Sequence, residues 1–133
     1  MPAPLTTRSL PVPGRVELPD TGRAIEARIV EAVGYTLPRE ATRAAFDADL
    51  LPSPLVIRGR RRGERMTAFG QGERRLKTLL IDAKIPRWDR GRTPVVEAAG
   101  DIVWIAGVRR SAVAPITDRT RRVLELALVP LGS

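Results

Sequence analysis

The spacing of the apolar residues constrains this chain most. They come in short runs with the two-residue period of a half-buried strand, and they shift to a helical period over residues 72–85. "GRVELPDTGRAIEARIVEAVG" reads as a hairpin turning at Pro19-Asp20-Thr21-Gly22. Its second arm alternates Ile25, Ala27 and Ile29 against Glu26 and Arg28. Residues 54–60 form a compact β-branched run, and "TPVVEAAGDIVWIAGV" is a second hairpin around Ala99-Gly100-Asp101. Residues 119–129 alternate as a strand, with a short helix as the competing reading. Residues 35–54 are fenced by Pro38 and Pro52. Their alanines favour helix, while "AAFDADL" also fits a short strand.

The exception is "GERRLKTLLIDAKI". Leu76, Leu79, Leu80 and Ala83 fall on one helical face, Arg74, Lys77 and Ile81 on the other, and Pro86 limits the C-terminal end. The pattern as a whole predicts an α+β, strand-rich fold with one amphipathic helix at about 72–85. Three stretches are expected: a Pro-rich extended lead-in over 1–13, a hairpin and connecting segment over 14–54, and a basic region over 55–133 that forms one compact unit with 14–54. At 133 residues the chain is long enough to bury a sizeable core. No apolar run reaches the length of a membrane span, and the N-terminus has no signal-peptide core.

Composition excludes much chemistry. The chain has neither cysteine nor histidine, which removes disulfides, thiolate catalysis, the commonest general base and the commonest metal ligand. "GRRRGERMT" lacks the spacing and the lysine of a phosphate-binding loop, and "GQGERR" offers only a G-x-G. Asp47 and Asp49 read as a solvated pair or as turn partners in preference to metal ligands. Accordingly no catalytic residues, metal site or cofactor are expected, this chain is not expected to be an enzyme by itself, and a cytoplasmic location is the plain inference.

The charge is informative through its placement. The chain carries a formal +8, and residues 58–92 hold twelve basic and four acidic side chains, which accounts for the whole excess. Such a run can be a solvated surface that maintains solubility. Its concentration, its bias toward arginine and its interleaving with Gly59, Gly63, Gly70 and Gly72 point instead to an oxygen-rich polyanion such as RNA. Arginine grips phosphate with a planar fork, and glycine lets a backbone approach closely. The candidate RNA contacts are Arg60, Arg61, Arg62, Arg65, Arg74, Arg75, Lys77, Lys84, Arg87, Arg90 and Arg92. Glu64 and Glu73 read as local partners of nearby arginines. Trp104 reads as core; Trp88 and Phe69 read either as stacking residues or as part of the core lid.

The order of motifs over residues 55–111 resembles the C-terminal domain of tRNA(Ile)-lysidine synthetase. It runs "RRRGERM", a G-x-G at Gly70, a basic Leu76-Lys77 helix, Ile85-Pro86, Arg90, Pro94, and Trp104 three residues before Gly107. The resemblance implies a β-sandwich of mixed topology, shared with the phenylalanyl-tRNA synthetase β subunit, and so favours strand for residues 44–50. It also implies a parent ligase that uses ATP, Mg and lysine to convert the wobble cytidine of isoleucine tRNA to lysidine. The "SGGxDS"-type loop of that catalytic part is absent here. The implied partners are isoleucine tRNA, held at its acceptor stem, and the rest of the parent enzyme. Arg65, Lys77 and Arg90 match basic positions of the motif, and Arg65 is expected to be held by Glu64 or Asp89. Arg23 and Arg28, outside the window, serve as remote comparisons. The alternative function is a protein–protein docking domain anchored by Ile81 and Trp88.

Overall fold

A computed structural model describes residues 7–61, 63–68, 72–86, 90 and 92–131, the Asp20 side chain excepted. In chain order the strands are β1 (Arg8–Leu10), β2 (Gly14–Leu18), β3 (Arg23–Glu31), β4 (Arg43–Asp47), β5 (Leu55–Arg58), β6 (Arg65–Ala68) and β7 (Gly72–Arg75). Helix α1 (Leu76–Asp82) follows, then β8 (Val95–Ala98), β9 (Asp101–Ile105), β10 (Arg109–Arg110) and β11 (Arg122–Pro130). A five-stranded sheet has the order β1-β5-β8-β9-β10, a four-stranded sheet the order β2-β3-β11-β4, and β6 pairs with β7. Each described pairing is antiparallel. The mixed character of the topology lies in strand order, since β11 returns from the C-terminal end to sit between β3 and β4.

The two larger sheets form the sandwich. Ile25, Ala27, Ala44, Phe46, Leu124, Leu126 and Leu128 of one meet Leu10, Leu55, Ile57, Val96, Ala98, Val103 and Trp104 of the other. The register of β8 against β9 shifts between Val96 and Glu97, so that Val103 is the extra residue of a bulge. The bulge lets Val103 and Trp104 both enter the sandwich and leaves Ile102 and Ile105 on the other face. There a second core forms from Val95 and Ile105, Met66 and Ala68 of β6, and Leu76, Leu79 and Leu80 of α1. Each leucine so buried contributes roughly 2 kcal/mol of transfer free energy. The molecule is thus three layers deep, with the β6–β7 hairpin and α1 as the outer layer.

The helix is shorter than its period suggests. Residues 72–75 pair with β6 in the register Arg65↔Arg75 and Ala68↔Gly72, and Arg75 stays extended (ψ 139°) at the helix N-cap. Gly72, at φ +72°, makes the turn into β7 with a backbone that other residues rarely adopt. At the other end Ala83 N–H donates to the Leu79 carbonyl and Ile85 N–H to that of Leu80, and Lys84 adopts φ +59°. The helix is closed by these bonds before Pro86. Residues 43–47 and 122–130 are strands; the strand expected over 44–50 ends at Asp47, whose carbonyl accepts from the Leu50 and Leu51 N–H groups in a turn, and the strand reading of 119–129 holds from Arg122 on. Within the lead-in, Arg8–Leu10 pairs with β5 and Leu10 joins the core. No helix among the described residues is long and apolar enough to cross a membrane.

Buried polar groups elsewhere are satisfied by cross-links. Glu125, on β11, accepts from Tyr35 Oη at 2.6 Å, Arg28 Nε at 2.9 Å and Arg43 Nη1 at 2.9 Å. Burial works to raise the Glu125 carboxyl, but these donors outweigh it and hold it below the usual carboxylate range. The Tyr35 hydroxyl is pushed up, first by burial and then by this carboxylate. Arg110 clips the two sheets together. Its guanidinium lies 4.3 Å from the Phe46 ring centroid and donates to the carbonyls of Ala45, Ser111 and Val113.

Candidate nucleic-acid interface

The root of the basic window is Arg58, the last residue of β5. Alternation along β5 sends Leu55 and Ile57 into the sandwich and Arg58 to the opposite face of the sheet, where it is only 4% exposed. Its Nε donates to Glu97 at 2.7 Å, and its Nη1 and Nη2 donate to both oxygens of Glu64, at 3.1 and 2.6 Å. Burial acts to raise the Glu64 carboxyl, but the Arg58 fork and the Arg61 backbone N–H together hold it below its usual range. Arg58 is therefore an internal tie that fastens the loop 59–64 to the central sheet. Leu76 N–H then donates to the Glu64 carbonyl at 3.0 Å, which fixes the same loop to the start of α1.

These bonds bring the loop, the hairpin and the helix into one layer. Arg65 stands opposite Arg75, and Met66 opposite Arg74. Arg65 donates to Glu73 at 3.0 Å, and this exposed carboxylate, not Glu64 or Asp89, is its described partner. Glu64 is already committed to Arg58, and Asp89 lies outside the described residues. An exposed pair of this kind is worth at most about 1 kcal/mol, so Arg65 remains available to a ligand. Arg61, Arg74, Arg75, Lys77 and Lys84 are exposed, and none makes an ion pair among the described residues. Lys77 shares the exposed face of α1 with Ile81, and Lys84 follows just past the helix end.

The remaining candidates differ in setting. Arg60 is half-buried, and its Nε has no hydrogen-bond partner among the described residues. Arg90 donates from Nε to the Ile85 carbonyl at 3.1 Å and braces the chain leaving α1. Arg92 lines a cleft with Arg23. Arg62 and Arg87 lie outside the described residues, as do Trp88 and Phe69. Trp104 is core, at 1% exposure. Asp47 and Asp49 are turn partners: Asp47 accepts from the Asp49 N–H and the Thr120 hydroxyl, and Asp49 accepts from Arg122.

Charges on the four-stranded sheet are largely neutralised. Arg15 pairs with Glu26 at 2.6 Å, Arg28 and Arg43 both reach Glu125, and Arg122 reaches Asp49 at 3.1 Å. Exposed cations without an ion pair among the described residues are grouped on the outer layer at Arg61, Arg74, Arg75, Lys77 and Lys84, and others stand elsewhere, at Arg23, Arg39, Arg119 and Arg121. Sequence reasoning did not find Arg58 as a structural residue. The signal was present in the two-residue alternation from Leu55, which puts Val56 and Arg58 on the face opposite the core.

A family model described as the TilS substrate C-terminal domain matches residues 55–126. The tRNA(Ile)-lysidine synthase of Symbiobacterium thermophilum is 38% identical over 102 residues, which are 74% of this chain and 21% of that protein. The tRNA(Ile)-lysidine synthase of Geobacillus kaustophilus is 41% identical over 108 residues, 77% of this chain and 22% of that protein. A crystal structure of the TILS C-terminal domain superposes with a TM-score of 0.83 at 34% identity, covering 96% of this chain and 100% of that one. The chain thus spans about a fifth of the length of these two synthases.

Proposed function

The chain belongs to the TilS C-terminal domain family, and from that premise we propose that its outer layer binds tRNA for a lysidine-forming ligase. The observation that carries this reading is the group of five exposed cations, Arg61, Arg74, Arg75, Lys77 and Lys84, set on one layer with no ion pair among the described residues, Arg61 alone lying beside an acid, Glu64. Arginine forks and lysine ammonium groups at such a surface take phosphate oxygens, and a duplex is read there by shape and backbone. The substrate is isoleucine tRNA, gripped at its acceptor stem. The rest of the enzyme, in the cytoplasm, supplies ATP, Mg and lysine chemistry at the wobble cytidine. This chain contributes grip and alignment, and alone with tRNA, ATP and lysine it forms no lysidine.

A salt titration of binding to isoleucine tRNA tests the reading. With about five phosphates neutralised, affinity falls on the order of a hundred-fold or more between 50 and 200 mM salt. The R74E/R75E variant reduces the slope of log K against log salt by about 2 and leaves the melting temperature within about 2 °C of wild type, because both side chains are exposed. R119E/R121E, at the exposed approach to β11, leaves the slope nearly unchanged. A flat salt response, or equal losses in the two variants, refutes the assignment. A second reading rests on Ile81, which is 46% exposed on the helix, between Lys77 and, past the helix end, Lys84. It makes α1 a docking surface for the rest of the enzyme. Capture of the catalytic fragment that persists in high salt and is abolished by I81D would favour that reading.

A further inference from the structure

A cleft of about 280 Å³ opens where four distant segments meet. These are the β2–β3 turn with Thr21 and Arg23, the post-helix residues Ile85 and Pro86, the segment Arg92 to Pro94, and the turn at Gly107 and Val108. Its lining joins the apolar Ile85, Pro86, Pro94 and Val108 to the guanidinium side chains of Arg23 and Arg92. Gly107 holds φ +77°, and a Cβ there would lie 3.1 Å from Leu128 Cδ2 and 3.9 Å from Arg23 Nη1. The absence of a side chain at Gly107 thus leaves room beside the Arg23 guanidinium. Arg23 is consequently no remote comparison for the basic window: it shares a cleft with Arg92, and Lys84 immediately precedes Ile85 of its lining.

We propose that this cleft takes one unpaired nucleotide of the bound RNA, its base against Pro86 and Pro94 and its phosphate on Arg23. The proposal rests on the tRNA-binding reading above and adds a ligand of different shape. A duplex is too wide and stiff to enter a cleft at the small end of the ligand-pocket range. An unstacked base fits such a slot, and splayed bases are where proteins gain selectivity on RNA. Charge complementarity and continuity with the cationic layer both favour a nucleotide over an apolar peptide.

The test compares three RNA hairpins of identical stem by fluorescence anisotropy: blunt, carrying one unpaired 3′ nucleotide, and carrying an abasic 3′ nucleotide. The unpaired nucleotide is expected to tighten binding about fivefold, and removal of its base to return most of that gain. R23A, at an exposed position, removes the phosphate's share of the gain, lowers the fivefold preference to about threefold, and changes blunt-hairpin affinity by less than about twofold. Equal binding of blunt and extended hairpins by the wild type overturns the cleft and leaves the duplex grip standing. A fivefold preference unchanged by R23A, or equal weakening of all three hairpins by R23A, also overturns it. Failure of every hairpin to bind refutes the tRNA-binding reading and the cleft together.

Discussion

Replacing Arg58 with methionine isolates the internal tie from the surface charge. The guanidinium is 4% exposed and makes three charge-assisted bonds of 2.6–3.1 Å to Glu64 and Glu97. Its removal leaves two carboxylates, with side chains only 14% and 17% exposed, without that cation. Breaking a buried pair from one side costs about 3–5 kcal/mol. Residual hydration of both carboxylates, and the apolar packing gained by methionine, place R58M near the lower figure, about 3 kcal/mol. For a chain of 133 residues that corresponds to a loss of roughly 10 °C in Tm. R58M/E64Q/E97Q removes the stranded charges and recovers half or more of the loss, because deleting a whole buried ion cluster is close to neutral. Thermal unfolding followed by circular dichroism measures all three proteins. An R58M melting point within about 2 °C of wild type, or a triple variant less stable than R58M, refutes the claim that Arg58 anchors the loop.

Three further outcomes follow from the described contacts. The lowered carboxyl of Glu125 means that the unfolded chain takes up the proton first, so this cluster's contribution is complete above about pH 5 and is lost as pH falls through the folded value. Urea unfolding should show the stability gap between wild type and E125Q shrinking from pH 5 toward pH 3. G107A places a Cβ at φ +77° and 3.1 Å from Leu128, and should cost about 1–3 kcal/mol in the same assay. R110K keeps a cation but cannot reach the diverging carbonyls of Ala45, Ser111 and Val113. It should cost about 2–3 kcal/mol by urea unfolding, although burial already presses the Arg110 pKa down to about 10.

What could be read before folding, and what could not, divides along local and non-local physics. Alternation at Ile25, Ala27 and Ile29, the hairpin turn at Pro19–Gly22 and the leucine spacing from Leu76 are local signals, and each produced the element expected. The helix was overextended because Gly72–Arg75 carries no apolar period of its own. Its strand state comes from pairing with Arg65–Ala68, a tertiary choice that overrides propensity. Leu10 in the core and the return of β11 between β3 and β4 are likewise long-range facts. At the site, the concentration of arginine was legible as a count. Its division into an internal tie at Arg58, a brace at Arg90 and cations without an ion pair among the described residues at Arg74, Arg75 and Lys77 needed the sheet register and the positions of Glu64 and Glu97. The meeting of Arg23 with Arg92 has no sequence signal, since a β2–β3 turn and a post-helix segment are joined there only by the fold.

The second hydrophobic cluster touches the sandwich through Val95 and Ile105, and the hairpin above it bonds to the chain after β10 at Ala68–Ser111 and where the Ala112 N–H donates to the Thr67 carbonyl. Substitutions that retune the cationic skin, or even loosen its leucines, are thereby insulated from the larger cluster behind. Amide exchange should resolve two opening units, with the arginine-bearing one the earlier to exchange. Selection can therefore adjust the cationic surface of such a module without renegotiating the architecture that carries it.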